Sequence, residues 1–255
     1  MNTMRNVIAV AAVSLTLGIT GARAEEKPLT FITTAELISK VSAAKSSWNF
    51  TVIDARSRTE FEEGHIYGAI NIPAEETTKK LPGIEKDKFR ELIFYCNGVK
   101  CTKSKKGGGA ARALGYTNIL EYNEGMPAWG RTDQKIIGVP LPAYEAPAVT
   151  PAELAAALKD SPSAIVMLDL RPVDEFAKFH VKGALNVPLD DIKSRIGEIP
   201  RKPIVVVDHA GHQTLIAGKL LKSLGREGVK RLGGGLLAWK EAGISLEEAA
   251  TAAKP

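Results

Sequence analysis

The feature that most constrains this chain is that it carries one pattern twice. Asp54-x-Arg56 recurs as Asp169-x-Arg171, Glu60-Phe61 as Glu175-Phe176 and His65 as His180, each pair 115 residues apart. Gly68-Ala69-x-Asn71-x-Pro73 returns as Gly183-Ala184-x-Asn186-x-Pro188 in the same register. Further along, Leu114-Gly115, Gly125 and Ala128-Trp129 return as Leu224-Gly225, Gly235 and Ala238-Trp239, now 110 apart. A register held this far means two copies of one structural unit. Aligning the apolar runs Leu92-Ile93-Phe94-Tyr95 and Ile204-Val205-Val206-Val207 gives 112 and sets Cys96 opposite Asp208. The remaining step to 110 leaves two extra residues in the loop after Cys96.

Each unit reads as α/β. Thr33-Thr34-Ala35-Glu36 and Thr150-Pro151-Ala152-Glu153 have the form of helix N-caps with an acid in the first turn. Short apolar runs that end in aspartate, Thr51-Val52-Ile53 and Ala164 to Leu168, read as buried strands. Strands alternating with helices predict two domains, each a parallel sheet with helices on both faces. Their expected bounds are 25–135 and 150–246, joined by a linker at 136–149 stiffened by Pro140, Pro142 and Pro147, with a tail at 247–255.

Residues 1–24 stand apart: Arg5, an apolar run from Val7 to Ile19, then Ala22-Arg23-Ala24. This is the form of a signal peptide cleaved after Ala24, so the mature protein is expected in the periplasm or secreted, and free of the membrane. Cleavage removes two arginines and no acid, taking the formal charge from +5 to +3. So small an excess gives no reason to expect a nucleic-acid partner.

Cys96 and Cys101, the two cysteines, lie too close together to staple a fold of this size and read as chemical groups. Cys96 follows an apolar strand and precedes a turn and a helix that starts near Lys103-Ser104. Ligands of open α/β sheets bind at such strand ends, where loop amides and the positive helix end stabilise a thiolate or bind an oxyanion. Lys100, Lys103, Lys105 and Lys106 crowd this loop, whereas Gln213, Leu215 and Ile216 stand opposite Lys103, Lys105 and Lys106 in the second copy. Asn97, Gly98, Val99, Lys100, Thr102, Lys103 and Ser104 are the expected substrate-binding positions. For Cys101 three roles stay open: a resolving thiol, the nucleophile itself, or a bystander.

Taken in order, Asp-x-Arg, Glu-Phe, Gly-His-Ile-x-Gly-Ala-x-Asn-Ile-Pro, the Tyr-Cys loop, Leu-Gly-Tyr and Gly-x-x-Ala-Trp resemble the rhodanese sulfurtransferases over residues 31–245. The resemblance implies a persulfide on catalytic Cys96, loaded from a small anionic sulfur donor such as thiosulfate or polysulfide. The sulfur then passes to a thiol or other thiophilic acceptor, proteins included, without cofactor or metal. A different reading is a redox or carrier module that uses Cys96 and Cys101 as a dithiol switch. The loop departs from the family's Cys-x-x-Gly-x-Arg-Ser form, being two residues longer with lysine where arginine is usual. A longer loop encloses a larger anion, and lysine does not bind oxyanions bidentately. Related phosphatases keep Cys-x5-Arg, whereas position 102 is threonine here.

In the second copy, Asp208-His209-Ala210-Gly211-His212-Gln213-Thr214 fills the loop position. Aspartate cannot form a persulfide, so this domain is expected to be silent, with its loop residues solvated rather than holding a metal. Asp54 with Arg56, and Asp169 with Arg171, persist in both copies and are expected to form structural ion pairs.

Overall fold

The computed structural model describes residues 28–248. The leader read at residues 1–24 and residues 249–255 of the tail lie outside them.

The first unit runs β1 (Thr30–Phe31), α1 (Thr34–Val41), β2 (Phe50–Asp54), α2 (Arg58–Glu63), β3 (His65–Ile66), β4 (Ile70–Asn71), α3 (Thr77–Ile84), β5 (Glu91–Tyr95), α4 (Lys103–Ala113), β6 (Ile119–Tyr122), α5 (Gly125–Trp129) and β7 (Ile136–Ile137). The second runs β8 (Ala148–Val149), α6 (Pro151–Asp160), β9 (Val166–Asp169), α7 (Val173–Phe176), β10 (Phe179–His180), β11 (Leu185–Asn186), α8 (Ile192–Arg195), β12 (Ile204–Val207), α9 (Gln213–Ser223), β13 (Val229–Leu232), α10 (Gly235–Glu241) and β14 (Glu247–Glu248). Each unit holds a five-stranded sheet, in the orders β1-β6-β5-β2-β4 and β8-β13-β12-β9-β11. Every pairing within these sheets is parallel. The two orders are the same order, element for element.

Both faces of each sheet are buried, as parallel sheets require. In the first, Val52, Ile93 and Tyr95 pack on one side while Ile53, Leu92 and Phe94 pack on the other. In the second, Leu168, Ile204 and Val206 oppose Met167, Val205 and Val207. The threonine caps form as the sequence predicts: Thr33 and Thr150 each exchange hydrogen bonds with the acid three residues on, Glu36 and Glu153. Loss of such a cap costs about 1 kcal/mol.

Two edges differ from expectation. Residues 136–149 are not a free linker, because β7 pairs antiparallel with β3 and β8 pairs with β13. The paired ends leave only 138–147 to span the units. Similarly, β14 pairs with β10, which carries the second unit two residues past 246. The histidines at equivalent sites pack, each ring stacked on the phenylalanine four residues back, His65 on Phe61 and His180 on Phe176.

Candidate active site

β5 delivers Cys96 to the carboxyl end of the first sheet, and α4 begins at Lys103, so residues 97–102 form the connecting loop. The turn depends on glycine: Gly98 has φ +94°, and Gly125 at φ +59° lies directly against the backbone of Cys96 and Gly98. A side chain at Gly125 would strike that backbone. The Met126 amide donates to the Cys96 carbonyl at 3.0 Å and fixes the loop's root.

The Cys96 sulfur lies 3.2 Å from Ser104 Oγ and 3.5 Å from the Cys101 carbonyl. Burial pushes its thiol up, but the Cys101 thiol, the Ser104 hydroxyl and the amides of Ser104 and Asn97 bring it down to about 7. Cys101 moves the opposite way, raised by its hydrogen bond to Cys96 and by burial. The two thiols are thus shifted in opposite directions, Cys96 toward its thiolate and Cys101 toward its protonated form. Both cysteines are free.

Ser104 also donates to Glu121 Oε1 at 2.7 Å, and both side chains are buried. A hydroxyl has one proton, so Glu121 and the sulfur compete for it. Glu121 was not among the expected site residues.

Glu60 was legible only as half of a repeated dipeptide, yet it is the fastening point of the loop. It closes the α2 capping box with Ser57 and is fully buried. Its Oε1 accepts from Asn97 Nδ2, and its Oε2 accepts from Gln213 Nε2 at 2.9 Å and lies 3.6 Å from Lys103 Nζ. Burial pushes its carboxyl up, but Lys103, Arg56, Asn97 and Gln213 outweigh this and hold it at about 2. Lys103 in turn is pushed down by burial yet raised overall to about 12, chiefly by Glu60.

The lysines do not converge on one anion as their spacing suggests. Lys103 is spent on Glu60, and Lys106 faces Asp174 and Glu175 of the second domain at 3.7 and 3.6 Å. Lys100, Thr102 and Lys105 are exposed. Val99 and Lys100 line an outer groove of about 610 Å³ with Gly98, Glu124 and Arg131.

A second hollow, about 40 Å³, lies between the domains. Asn97, Cys101, Thr102 and Lys103 line it from one side; Arg171, Asp208, His209, His212 and Gln213 are among those lining it from the other. It holds about three waters or one small oxyanion. Cys96 lines neither hollow and has no exposed surface. Strand-end position places the sulfur rightly but does not foresee that Cys101 and Ser104 cover it.

Asp54 with Arg56 and Asp169 with Arg171 form buried pairs at 2.7 Å. Arg56 further reaches the Gly64 carbonyl at 2.7 Å and Arg171 the Phe179 carbonyl at 2.7 Å, so each pair ties its second strand to the start of the small antiparallel sheet, at β3 and β10.

The Asp208 loop corrects the expectation of solvated residues. Asp208 is buried, and its carboxylate accepts from the Gly211 and Gln213 amides, the latter at 2.6 Å. The carboxylate fills the amide cradle itself. Among the described residues no group of three His, Cys, Asp or Glu could hold a metal ion.

A doubled five-stranded parallel unit with a cysteine cradled at one strand end defines a class of tandem α/β domains. The Rhodanese-like domain model matches residues 34–132 and 150–242, and the chain belongs to that family. A helix-turn-helix-type transcriptional regulator of Mycobacterium tuberculosis is 32% identical over 110 residues, 43% of each chain. An adenylyltransferase and sulfurtransferase of Meyerozyma guilliermondii is 34% identical over 83 residues, 29% of this chain and 20% of that one. The chain thus spans less than half the length of these relatives. A thiosulfate sulfurtransferase structure from Pseudomonas aeruginosa covers 88% of this chain and 44% of its own, at 19% identity and TM-score 0.44.

Proposed function

We propose that this protein is a sulfurtransferase working through a Cys96 persulfide. The observation that carries the reading is the sulfur's setting: at a strand end, among loop amides, with its thiol brought down to about 7. At neutral pH a large fraction is thiolate, the form that attacks. The thiolate attacks the outer sulfur of a donor such as thiosulfate or a polysulfide. The donor's S–S bond breaks, and sulfite or a shortened polysulfide leaves with the electron pair. An acceptor thiolate then attacks the outer sulfur of the persulfide, and Cys96 leaves as thiolate. Cys101 lines the interdomain hollow and lies against Cys96, so a donor entering there reaches the sulfur once Cys101 moves aside.

Contact between the two thiols supports a second reading for Cys101. The Cys101 thiol passes its proton to the outer sulfur of the Cys96 persulfide as its own sulfur attacks the inner one, forming a Cys96–Cys101 disulfide and expelling hydrosulfide. An external dithiol then resets the pair. On either reading the Asp208 domain transfers no sulfur, and the leader directs the work to the periplasm or beyond.

Intact mass after incubation with thiosulfate or polysulfide tests this. Gain of one sulfur atom, mapped to Cys96 and absent in Cys96→Ser, is expected. Loss of two hydrogens with hydrosulfide release assigns the dithiol cycle. Sulfur uptake that survives Cys96→Ser overturns the nucleophile.

A further inference from the structure

The second domain grips one short helix of the first at three places. The Asp190 carboxylate accepts from the Arg58 and Thr59 amides at 2.9 and 2.8 Å, capping α2 from outside its own domain. Lys219 pairs with Glu63 at 2.6 Å at the other end. Between them, buried Gln213 donates to buried Glu60 at 2.9 Å.

Lys103 and Gln213 occupy equivalent positions of the repeat, and both reach the same carboxylate. The other Glu60 oxygen holds the Asn97 side chain, and Asn97 directly follows Cys96 and opens its loop, its amide being the last of the groups that bring the thiol down. A continuous line therefore runs from the silent domain to the thiol: Gln213, Glu60, Asn97, Cys96. We propose that Gln213 is a positioning residue, through which the second domain holds the Cys96 loop in its thiolate-stabilising shape. This deepens the reading of Cys96 as the reacting thiol and is independent of which donor it uses.

The choice of glutamine fits the charge around it. Glu60 already faces Arg56 and Lys103, while Asp208 with its neighbour His212 stands on the second domain's side. A neutral donor joins the Ser57 cap on Glu60 Oε2 without adding a third cation to one carboxylate. Around the sulfur itself stand the Cys101 thiol and Ser104, backed by the Glu121 carboxylate. Loss of Gln213 removes the one donor the second domain gives Glu60 Oε2, leaving that oxygen to the Ser57 cap and Lys103, so the carboxylate re-settles and shifts its grip on the Asn97 side chain.

The test is iodoacetamide alkylation of the full chain as a function of pH, with modified peptides mapped so that Cys96 and Cys101 are scored separately. No sulfur donor is present, so failure here is distinct from failure of the transferase reading. Gln213→Leu, and the milder Gln213→Asn whose amide is too short to reach Glu60, are expected to raise the Cys96 midpoint by about one unit, roughly tenfold less thiolate below it. Lys219→Ala breaks the same interface without touching Glu60 and is expected to leave the midpoint where it is. An unmoved midpoint in both Gln213 variants, or an equal rise in Lys219→Ala, overturns the proposal.

Discussion

The two strand-end loops share a scaffold and differ in what fills it. In the first, Cys96 is rooted by the Met126 amide; in the second, Asp208 is rooted by the equivalent Leu236 amide at 2.9 Å. Gly125 and Gly235, both at positive φ, back the two loops in the same way. The same cradle thus receives the Cys96 sulfur in one copy and the Asp208 carboxyl in the other. A thiol can be ionised, spent and remade, whereas the Asp208 carboxylate occupies the cradle with its own side chain. Divergence here changed the occupant and kept the cradle.

The comparison extends to the acids one helix away, and the largest effect is expected there. Glu60 is fully buried, while its equivalent Glu175 is part exposed and its carboxylate pairs with Lys106 at 3.6 Å. The Glu60 carboxyl is held at about 2 against an ordinary 4.5. A folded value below the unfolded one contributes stability above 4.5 that is lost as pH falls through about 2. That amounts to about 3 kcal/mol on the 1.4 kcal/mol per unit scale. Denaturant unfolding at a series of pH values should show this acid slope in the wild type and in Glu175→Gln. In Glu60→Gln it should be missing; an equal slope in both variants would remove the distinction between the copies.

Asp208 is expected to behave with opposite sign and smaller size. Burial raises its carboxyl despite the Gln213 and Gly211 amides. Its folded value lies above the unfolded one, so its contribution is present below 3.8 and is lost as pH rises through the raised value. Asp208→Ala orphans two buried amides but also relieves a desolvated charge, for a net loss of about 2 kcal/mol. The gap to wild type should narrow as pH rises, and formate should restore part of it by refilling the cradle. A variant as stable as wild type, and indifferent to formate, would mean the cradle is not an anion site in this copy.

Much of this was legible in the sequence because it rests on short-range pattern. The threonine caps, the α4 start and the Asp-x-Arg units each involve residues a few positions apart, and the repeat shows itself because such short motifs recur in order. Glu60, Glu121 and Gln213 escaped because their roles arise where distant segments meet: Glu121 lies behind Ser104, and Gln213 arrives from the other domain. The alignment of Lys103 with Gln213 was the one available signal, since a position that changes from cation to amide keeps a donor. The lysine cluster misled for the converse reason. Spacing counts charges along the chain but not the acids that the fold brings against them.

The finest test separates what the shared cradle does from what Cys101 adds, since the Asp208 loop has no second side chain in that role. Once burial is set aside, the Cys101 thiol is the first of the groups that bring Cys96 down to about 7, ahead of Ser104 and the amides. Cys101→Ala removes that donor and leaves the amides in place, so the Cys96 midpoint should rise by about one unit, some 1.4 kcal/mol. A raised thiol value means less thiolate at neutral pH, and the lost reactivity should return as pH climbs past the new midpoint. The same variant uncovers Cys96, which speeds alkylation at every pH. The midpoint of the profile, rather than its height, therefore carries the answer. A midpoint that stays near 7 would assign the thiolate to the amide cradle alone, and the two loops would then differ only in the atom they hold.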